Sequence, residues 1–208
     1  MKCSAWKAVP AAALLLFIVC GPAKAQDGDN DGCSAATLHG DYAFTLHGES
    51  LGILVSQGVG VPPKLVPFAS PLPADGVAVT HFDGKGGLSQ VDWVMRSGTS
   101  AAVPGTPVTK NGFRSEETGT YTVSSDCTGT FKILFPDTSE IDVAFVLGKQ
   151  GREIRTVVTR QHVPMLPPPV IPPGASCVPL TAADKMGCDL GVQIRSDGVK
   201  IGPVGPDW

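Results

Sequence analysis

Short segments of alternating apolar and polar residues, separated by turns rich in glycine and aspartate, fill the sequence from residue 33 to about residue 163. Alternation at every second residue is typical of a half-buried β-strand, because successive side chains of a strand point to opposite faces. No window of helical length before the C-terminal segment has the i, i+3, i+4, i+7 spacing of an amphipathic helix. The pattern therefore predicts an all-β fold.

Three consecutive pairs of these segments have the turns of β-hairpins, and each follows the last with little chain between them. Such a series predicts a small antiparallel meander of about seven to eight strands. A sheet of that size hides its edges best by closing into a β-barrel, and a two-sheet sandwich is the alternative. The predicted strand pairs are 77–82 with 91–95, 121–123 with 131–135, and 141–147 with 154–158.

One apolar stretch, residues 51–73, interrupts this rhythm with five prolines and three glycines. Proline within a strand removes a ladder hydrogen bond, so a long central strand is not expected here. We expect a strand end at 51–55 followed by a long loop. An apolar loop of that length either packs over a barrel end or has a functional role.

The first residues have the three parts of a secretory signal peptide. Two lysines make the start positive, an uninterrupted apolar run follows at 11–20, and an A-x-A cleavage motif ends at Ala25. The run is too short for a stable membrane span. We therefore expect removal of residues 1–25 and a mature bacterial protein, without a membrane span, that works in the periplasm or outside the cell.

Charge excludes two classes of partner. Without the three lysines of the signal peptide, the formal charge falls from −3 to about −6, and no cluster of lysine and arginine occurs. Such a chain lacks the basic surface of a nucleic-acid-binding protein. It also lacks a polybasic segment for anionic lipids.

The mature chain keeps an even number of cysteines, which in an oxidising compartment predicts two disulfides. Three pairings are possible. The short separation of Cys177 and Cys188 favours the pairs Cys177–Cys188 and Cys33–Cys127. The latter closes a long loop and contributes about 4 kcal/mol in the chain-entropy model.

Composition divides the mature chain into four parts. We expect an acidic leader at 26–32, a β-barrel domain at 33–163, a proline-rich linker at 164–175 and a cysteine-containing tail at 176–208. The linker should be extended polyproline II. A short helix is expected at 181–186 in the tail.

Several motifs together resemble a family of uncharacterised exported bacterial proteins: C-S-A-A-T-L-H-G-D-Y-A-F at 33–44, F-D-G-K-G at 82–86 and G-T-Y-T-V-S-S-D-C-T-G-T at 119–130. More distantly, such proteins are similar to the allene oxide cyclase/dirigent-like and lipocalin-like barrels. The resemblance implies a barrel interior that holds a small apolar ligand. Aromatic residues at period-two positions are then candidates for core or pocket wall, namely Tyr42, Phe44, Trp93, Tyr121 and Phe131.

The acidic leader matches the first half of a calcium-binding loop. Asp27, Asp29 and Asp31 alternate before a glycine, as in D-x-D-x-D-G. The twelfth position of the loop, which should be a glutamate, is Leu38. A solvated leader is therefore favoured over a calcium site, and no cofactor is predicted.

Acid–base chemistry has four candidate residues: His47, His81, Asp92 and Glu153. A histidine beside a carboxylate inside a barrel can act as a general acid or base, whereas a structural hydrogen-bonded role is the commoner alternative. The chain has no H-E-x-x-H and no G-x-S-x-G motif. These observations favour a non-catalytic binding protein of the cell envelope. The alternatives are a cyclase- or isomerase-like barrel enzyme and an interaction module acting through the proline-rich tail.

Overall fold

The computed structural model describes residues 32–102, 105–164 and 187–203. This part of the chain contains nine antiparallel strands in one sheet and two 3-10 turns, Ala35–Thr37 and Lys149–Gly151. The strands are β1 (His39–Val55), β2 (Lys64–Asp83), β3 (Gly87–Arg96), β4 (Thr99–Ser100), β5 (Arg114–Val123), β6 (Thr128–Leu134), β7 (Glu140–Gly148), β8 (Glu153–Val163) and β9 (Cys188–Lys200).

Eight of these strands form a closed ring, which confirms the predicted all-β fold. Neighbouring strands run in the order β1, β2, β3, β5, β6, β7, β8 and β9, and β9 pairs back with β1. Among the described strands, the short strand β4 pairs only with the end of β3. All three predicted hairpins are present, as β2–β3, β5–β6 and β7–β8.

Strand β9 differs from the sequence prediction, which ended the barrel at residue 163 and placed this segment in a separate tail. It lies between β1 and β8, with Tyr42 opposite Lys200 and Val163 opposite Cys188. Without β9, one edge of β1 and one edge of β8 would have no partner strand. Glycines at 191 and 198 interrupt the alternation of β9, so its pattern is weak in the sequence. The expected linker and the helix at 181–186 lie outside the described residues, apart from Pro164.

The proline-containing stretch also differs from the prediction of a long loop. β1 continues to Val55 and β2 begins at Lys64, so the connection is 56–63. Prolines at 67, 71 and 73 lie in the first half of β2, which pairs with β1, whereas β3 pairs with residues 74–82. The other edge of this half faces no described strand. Proline is tolerated there because an edge strand does not need every N–H group for its ladder.

Aromatic side chains close one end of the ring. Phe82 contacts Tyr42 and Tyr121 edge to face, with ring centroids 5.4 and 5.1 Å apart. The hydroxyl of Tyr42 donates to the carbonyl of Gly151, and that of Tyr121 donates to the carbonyl of Leu38 over 2.8 Å. We call Tyr42, Phe82 and Tyr121 the aromatic plug. Burying both hydroxyls with partners makes this end of the core stable.

Two turns and a disulfide fix the same end. The Asp83 carboxylate accepts hydrogen bonds from the backbone N–H groups of residues 85, 86 and 87 at 2.7–2.9 Å. These bonds lower the pKa of Asp83. Asp126 likewise accepts from the N–H and hydroxyl of Thr128. The predicted disulfide Cys33–Cys127 is present. The turn motifs at 82–86 and 124–129 thus lie at the closed end of the ring.

Candidate functional site

The other half of the ring interior contains a cavity of about 400 Å³. This volume is within the range of about 300–1,000 Å³ that small-molecule sites occupy. Seven of the eight ring strands, all except β5, contribute apolar or aromatic side chains to its wall. Among them are Phe44, Ala78, Val94, Phe131, Ile194 and Val158.

A bulge between β3 and β5 places charged groups beside the cavity. Gln90 lies opposite Glu117 and Asp92 lies opposite Arg114, so one residue of β3 faces two of β5. Within the bulge Glu116 has a left-handed φ of 63°. An extra residue in one strand shifts its alternation by one. Arg114 and Glu117, three residues apart, therefore reach the same side of the sheet.

We call Asp92, Arg96, Arg114 and Glu117 the charged cluster. Arg114 donates two hydrogen bonds to the Asp92 carboxylate, one from Nε over 2.6 Å and one from Nη2. Its Nε also lies 3.6 Å from Glu117 Oε1. The guanidinium carbon lies 4.8 Å from the centre of the Phe135 ring. Arg114 is thus held by a bidentate ion pair and by an aromatic face.

Hydrogen bonds connect this cluster to Gln90 and Thr80 in the cavity wall. Gln90 Nε2 donates to Glu117 Oε2 over 2.8 Å, and the Thr80 hydroxyl donates to Gln90 Oε1 over 2.7 Å. Thr80, Gln90, Asp92 and Glu117 are all buried. Burial raises the pKa of Glu117 to about 8, and the negative charge of Asp92 acts in the same direction. At neutral pH, Glu117 is therefore mainly a neutral acid beside Asp92.

Arg96, unlike Arg114, forms no ion pair with a carboxylate of the described residues. It ends β3 and lines the cavity together with Asp137 and Ser139 of the β6–β7 connection. Its Nε is buried without a hydrogen-bond partner. Burial and the neighbouring charge of Arg114 lower the pKa of Arg96, while Asp92 and Asp137 oppose this change. Gln161, on the β8 side of the cavity, also has a buried side-chain oxygen without a partner.

The five predicted pocket residues divide into three groups. Phe44 and Phe131 line the cavity. Tyr42 and Tyr121 belong to the aromatic plug instead. Trp93 lies on the outer face of β3, 39% exposed and against Phe113, so its assignment to the pocket is wrong. Gln90, Asp92 and Arg96 of β3 line the cavity together with Val94, whereas the tryptophan faces outward.

The four predicted acid–base residues are not brought together. Asp92 lines the cavity. His47 is paired with Asp75, and both side chains are largely exposed. His81 pairs with Asp41 at 2.6 Å, and their strand positions place them on the outer side of the ring. Glu153 is paired with Lys149 beside a turn. The structure therefore provides no His–carboxylate pair inside the ring among these residues.

A buried pair that sequence reasoning did not select joins β8 to β9. His162 Nδ1 lies 2.9 Å from Asp189 Oδ1, and both side chains are about 1–2% exposed. Arg160 Nη2 is 3.2 Å from the same carboxylate oxygen. His162 Nε2 is buried without a hydrogen-bond partner. Only the pairing of β9 with β8 brings these residues together, so no local pattern could have indicated them.

Two predictions concern residues outside the described part of the chain. The calcium-loop residues Asp27, Asp29 and Asp31 are among them, and this hypothesis stays untested. Cys177 is another. Cys188 is buried and disulfide-bonded, while the pairing Cys177–Cys188 remains a prediction.

The Cys33–Cys127 disulfide is compatible with an exported protein. The described residues include no helix of the length and apolar character needed to cross a membrane. No protein-family model, no curated protein and no solved structure matches the chain.

Proposed function

We propose that this chain is an exported, non-catalytic protein that binds a small, mainly apolar ligand inside its ring of strands. The observation that carries the proposal is the cavity of about 400 Å³ at one end of the interior. Its wall combines several aromatic and aliphatic side chains with a few polar groups, which is the usual composition of a small-molecule site. The aromatic plug closes the opposite end, so the cavity is a dead-end site.

The apolar wall gives a ligand with an apolar body a reason to bind here. Burying an apolar ligand contributes about 25 cal/mol per Å² of apolar surface removed from water. A ligand that covers much of the wall is therefore held mainly by apolar contact.

The proposed place of action is the periplasm or the extracellular medium of a bacterium. Support comes from the signal-peptide pattern and from the disulfide that links Cys33 to Cys127. Disulfides persist in oxidising compartments and are rare in the cytosol.

Filling the cavity tests the binding function. Ala78 lines the cavity on β2, whereas Ala144 on β7 alternates with the inward-facing Val143 and Phe145 and lies on the outer side. We expect 1-decanol to bind the wild-type mature protein in isothermal titration calorimetry. Ala78→Phe should weaken this binding at least tenfold, and the matched control Ala144→Phe should leave it unchanged. Equal binding by all three proteins, or none by the wild type, contradicts the proposal.

A cyclase- or isomerase-like enzyme is the second candidate. It is favoured by one observation: Asp92 lines the cavity beside Glu117, whose pKa is raised to about 8, and two carboxyl groups in such different environments can divide the roles of acid and base. Mass spectrometry of ligand recovered after prolonged binding separates the two candidates. A binding protein returns its ligand unchanged, while an enzyme returns an isomer.

A further inference from the structure

The charged cluster beside the cavity contains two guanidinium groups. Its carboxylates form hydrogen bonds and an ion pair with one of them, Arg114, but not with the other, Arg96. Arg114 takes both oxygens of Asp92 and lies 3.6 Å from Glu117. Within the described residues, Arg96 forms no ion pair and its buried Nε donates no hydrogen bond. Its nearest attractive charges, Asp92 and Asp137, act on it without contact. Arg96 is therefore a guanidinium in the cavity wall that no carboxylate of the described residues contacts.

A partly buried cation without a contacting partner is unfavourable for a fold, because the group loses water without gaining a hydrogen bond in return. Asp137 does not remove this cost, because it is exposed and its Oδ1 accepts a hydrogen bond from the N–H of Ser139 over 2.9 Å. Arg96 contributes no hydrogen bond to the described fold from its buried Nε. A partner from outside the chain accounts for both facts.

We propose that Arg96 binds the carboxylate of a ligand whose apolar body fills the cavity, so that the ligand class is a compact apolar monocarboxylate. This inference rests on the proposed binding function and specifies its ligand. The planar fork of a guanidinium matches the two oxygens of a carboxylate. The apolar body would contact the aromatic and aliphatic wall that Phe44, Phe131 and Phe135 provide.

The local charges favour a single negative charge on the ligand. Asp92 lines the cavity near Arg96, and Asp137 lines it beside the same group. A phosphate monoester carries about −1.5 to −2 charges at neutral pH and would be repelled by both carboxylates. A carboxylate carries only one negative charge, so the repulsion from Asp92 and Asp137 is smaller.

The test compares decanoate with 1-decanol, which share their apolar chain and differ in the head group. For the wild-type mature protein at pH 7, we expect decanoate to bind about 10- to 100-fold more tightly than decanol in titration calorimetry, since hydrogen bonds to charged groups are stronger than neutral ones. Arg96→Met should reduce this ratio to about one. Arg96→Lys keeps the charge without the fork and should retain part of it.

Arg155→Met is the matched control. Arg155 is an exposed arginine of β8 that pairs with Asp197, so its replacement should preserve the wild-type ratio. Thermal unfolding of each variant verifies that it folds. A ratio near one in the wild type, a ratio unaffected by Arg96→Met, or tighter binding of decyl phosphate than of decanoate overturns the inference. If neither decanoate nor decanol binds, the proposed function itself fails.

Discussion

Glu117 is a carboxyl group that the fold keeps protonated at neutral pH. It is about 1% exposed, it accepts a hydrogen bond from Gln90, and burial raises its pKa to about 8 from an ordinary value of 4.5. Because the folded chain holds this proton more tightly than the unfolded chain does, the contribution to stability is complete below about pH 4.5. It is lost progressively as the pH rises to about 8.

Replacing Glu117 with glutamine should remove this pH dependence. The amide is a neutral group of the same shape and cannot ionise. We expect the free energy of unfolding of the wild type to fall by a few kcal/mol more than that of Glu117→Gln between about pH 5 and pH 8. Urea denaturation at several pH values measures the difference. The exposed neighbour Glu116 provides the control, since Glu116→Gln should follow the wild-type curve, and parallel curves for Glu117→Gln and wild type would contradict the assignment.

Individual residues of β3 show where sequence reasoning stops. The alternation of Val91 and Trp93 with Gln90 and Asp92 correctly predicts a strand. It also suggests that Val91 and Trp93 face the interior. In the structure, Gln90 and Asp92 line the cavity instead. The inward position of Gln90 and Asp92 is stabilised by partners on other strands, Thr80 and Arg114. Since those partners depend on a bulge and on long-range pairing, the orientation of β3 could not be read from its own residues.

At the scale of elements, β9 is the strand on which closure of the ring depends. Its Gly198 lies opposite Phe44 and Ile154 of the two neighbouring strands. A Cβ atom at Gly198 would lie 2.4 Å from the Ile154 side chain and 2.5 Å from the Phe44 ring. At this position β9 packs directly against the side chains of Phe44 and Ile154, because residue 198 has no side chain of its own.

We expect Gly198→Val to destabilise the protein by about 1–3 kcal/mol or more, because overpacking forces backbone and side chains out of their positions. Gly202 is the control, since nothing lies within 4 Å of a Cβ atom built there. Chemical denaturation of both variants provides the comparison. Equal stability of Gly198→Val and Gly202→Val would show that β9 does not pack as described.

The elements that sequence alone predicts are those whose two strands lie next to each other along the chain. β2–β3, β5–β6 and β7–β8 each contain their own turn signal, and all three are present. β9 has neighbours far away in sequence and no hairpin turn of its own. Its alternation is also broken by glycines that tertiary packing requires. Local pattern therefore assigned it to a tail.

At the scale of the whole molecule, the ring has a closed end and an end with a cavity. The need to pair every strand edge leads to a ring, which sequence pattern could predict. The size of the cavity could not be predicted, because it depends on how side chains of different volumes from several strands meet. The Cys33–Cys127 disulfide ties the segment before β1 to the β5–β6 turn at the closed end.

Removing this disulfide should lower the stability of the whole ring. A bridge across a sequence separation of 94 residues contributes about 4 kcal/mol in the chain-entropy model. We expect the Cys33→Ser, Cys127→Ser double variant to lose about this amount in urea denaturation. Each single variant should lose about as much, because the bond is absent in all three. Full additivity of the two single changes would argue that the cysteines act separately.

The pairing of β1 with β9 also determines when the chain can fold. β1 gains β2 soon after synthesis, but its other edge must wait for β9, which is the latest of the described strands. Contacts between residues so distant in sequence make folding slow, because loop-closure entropy is lost before the contacts stabilise anything. A chain made from its N-terminus therefore has, among the described strands, at most an open sheet until β9 has been synthesised.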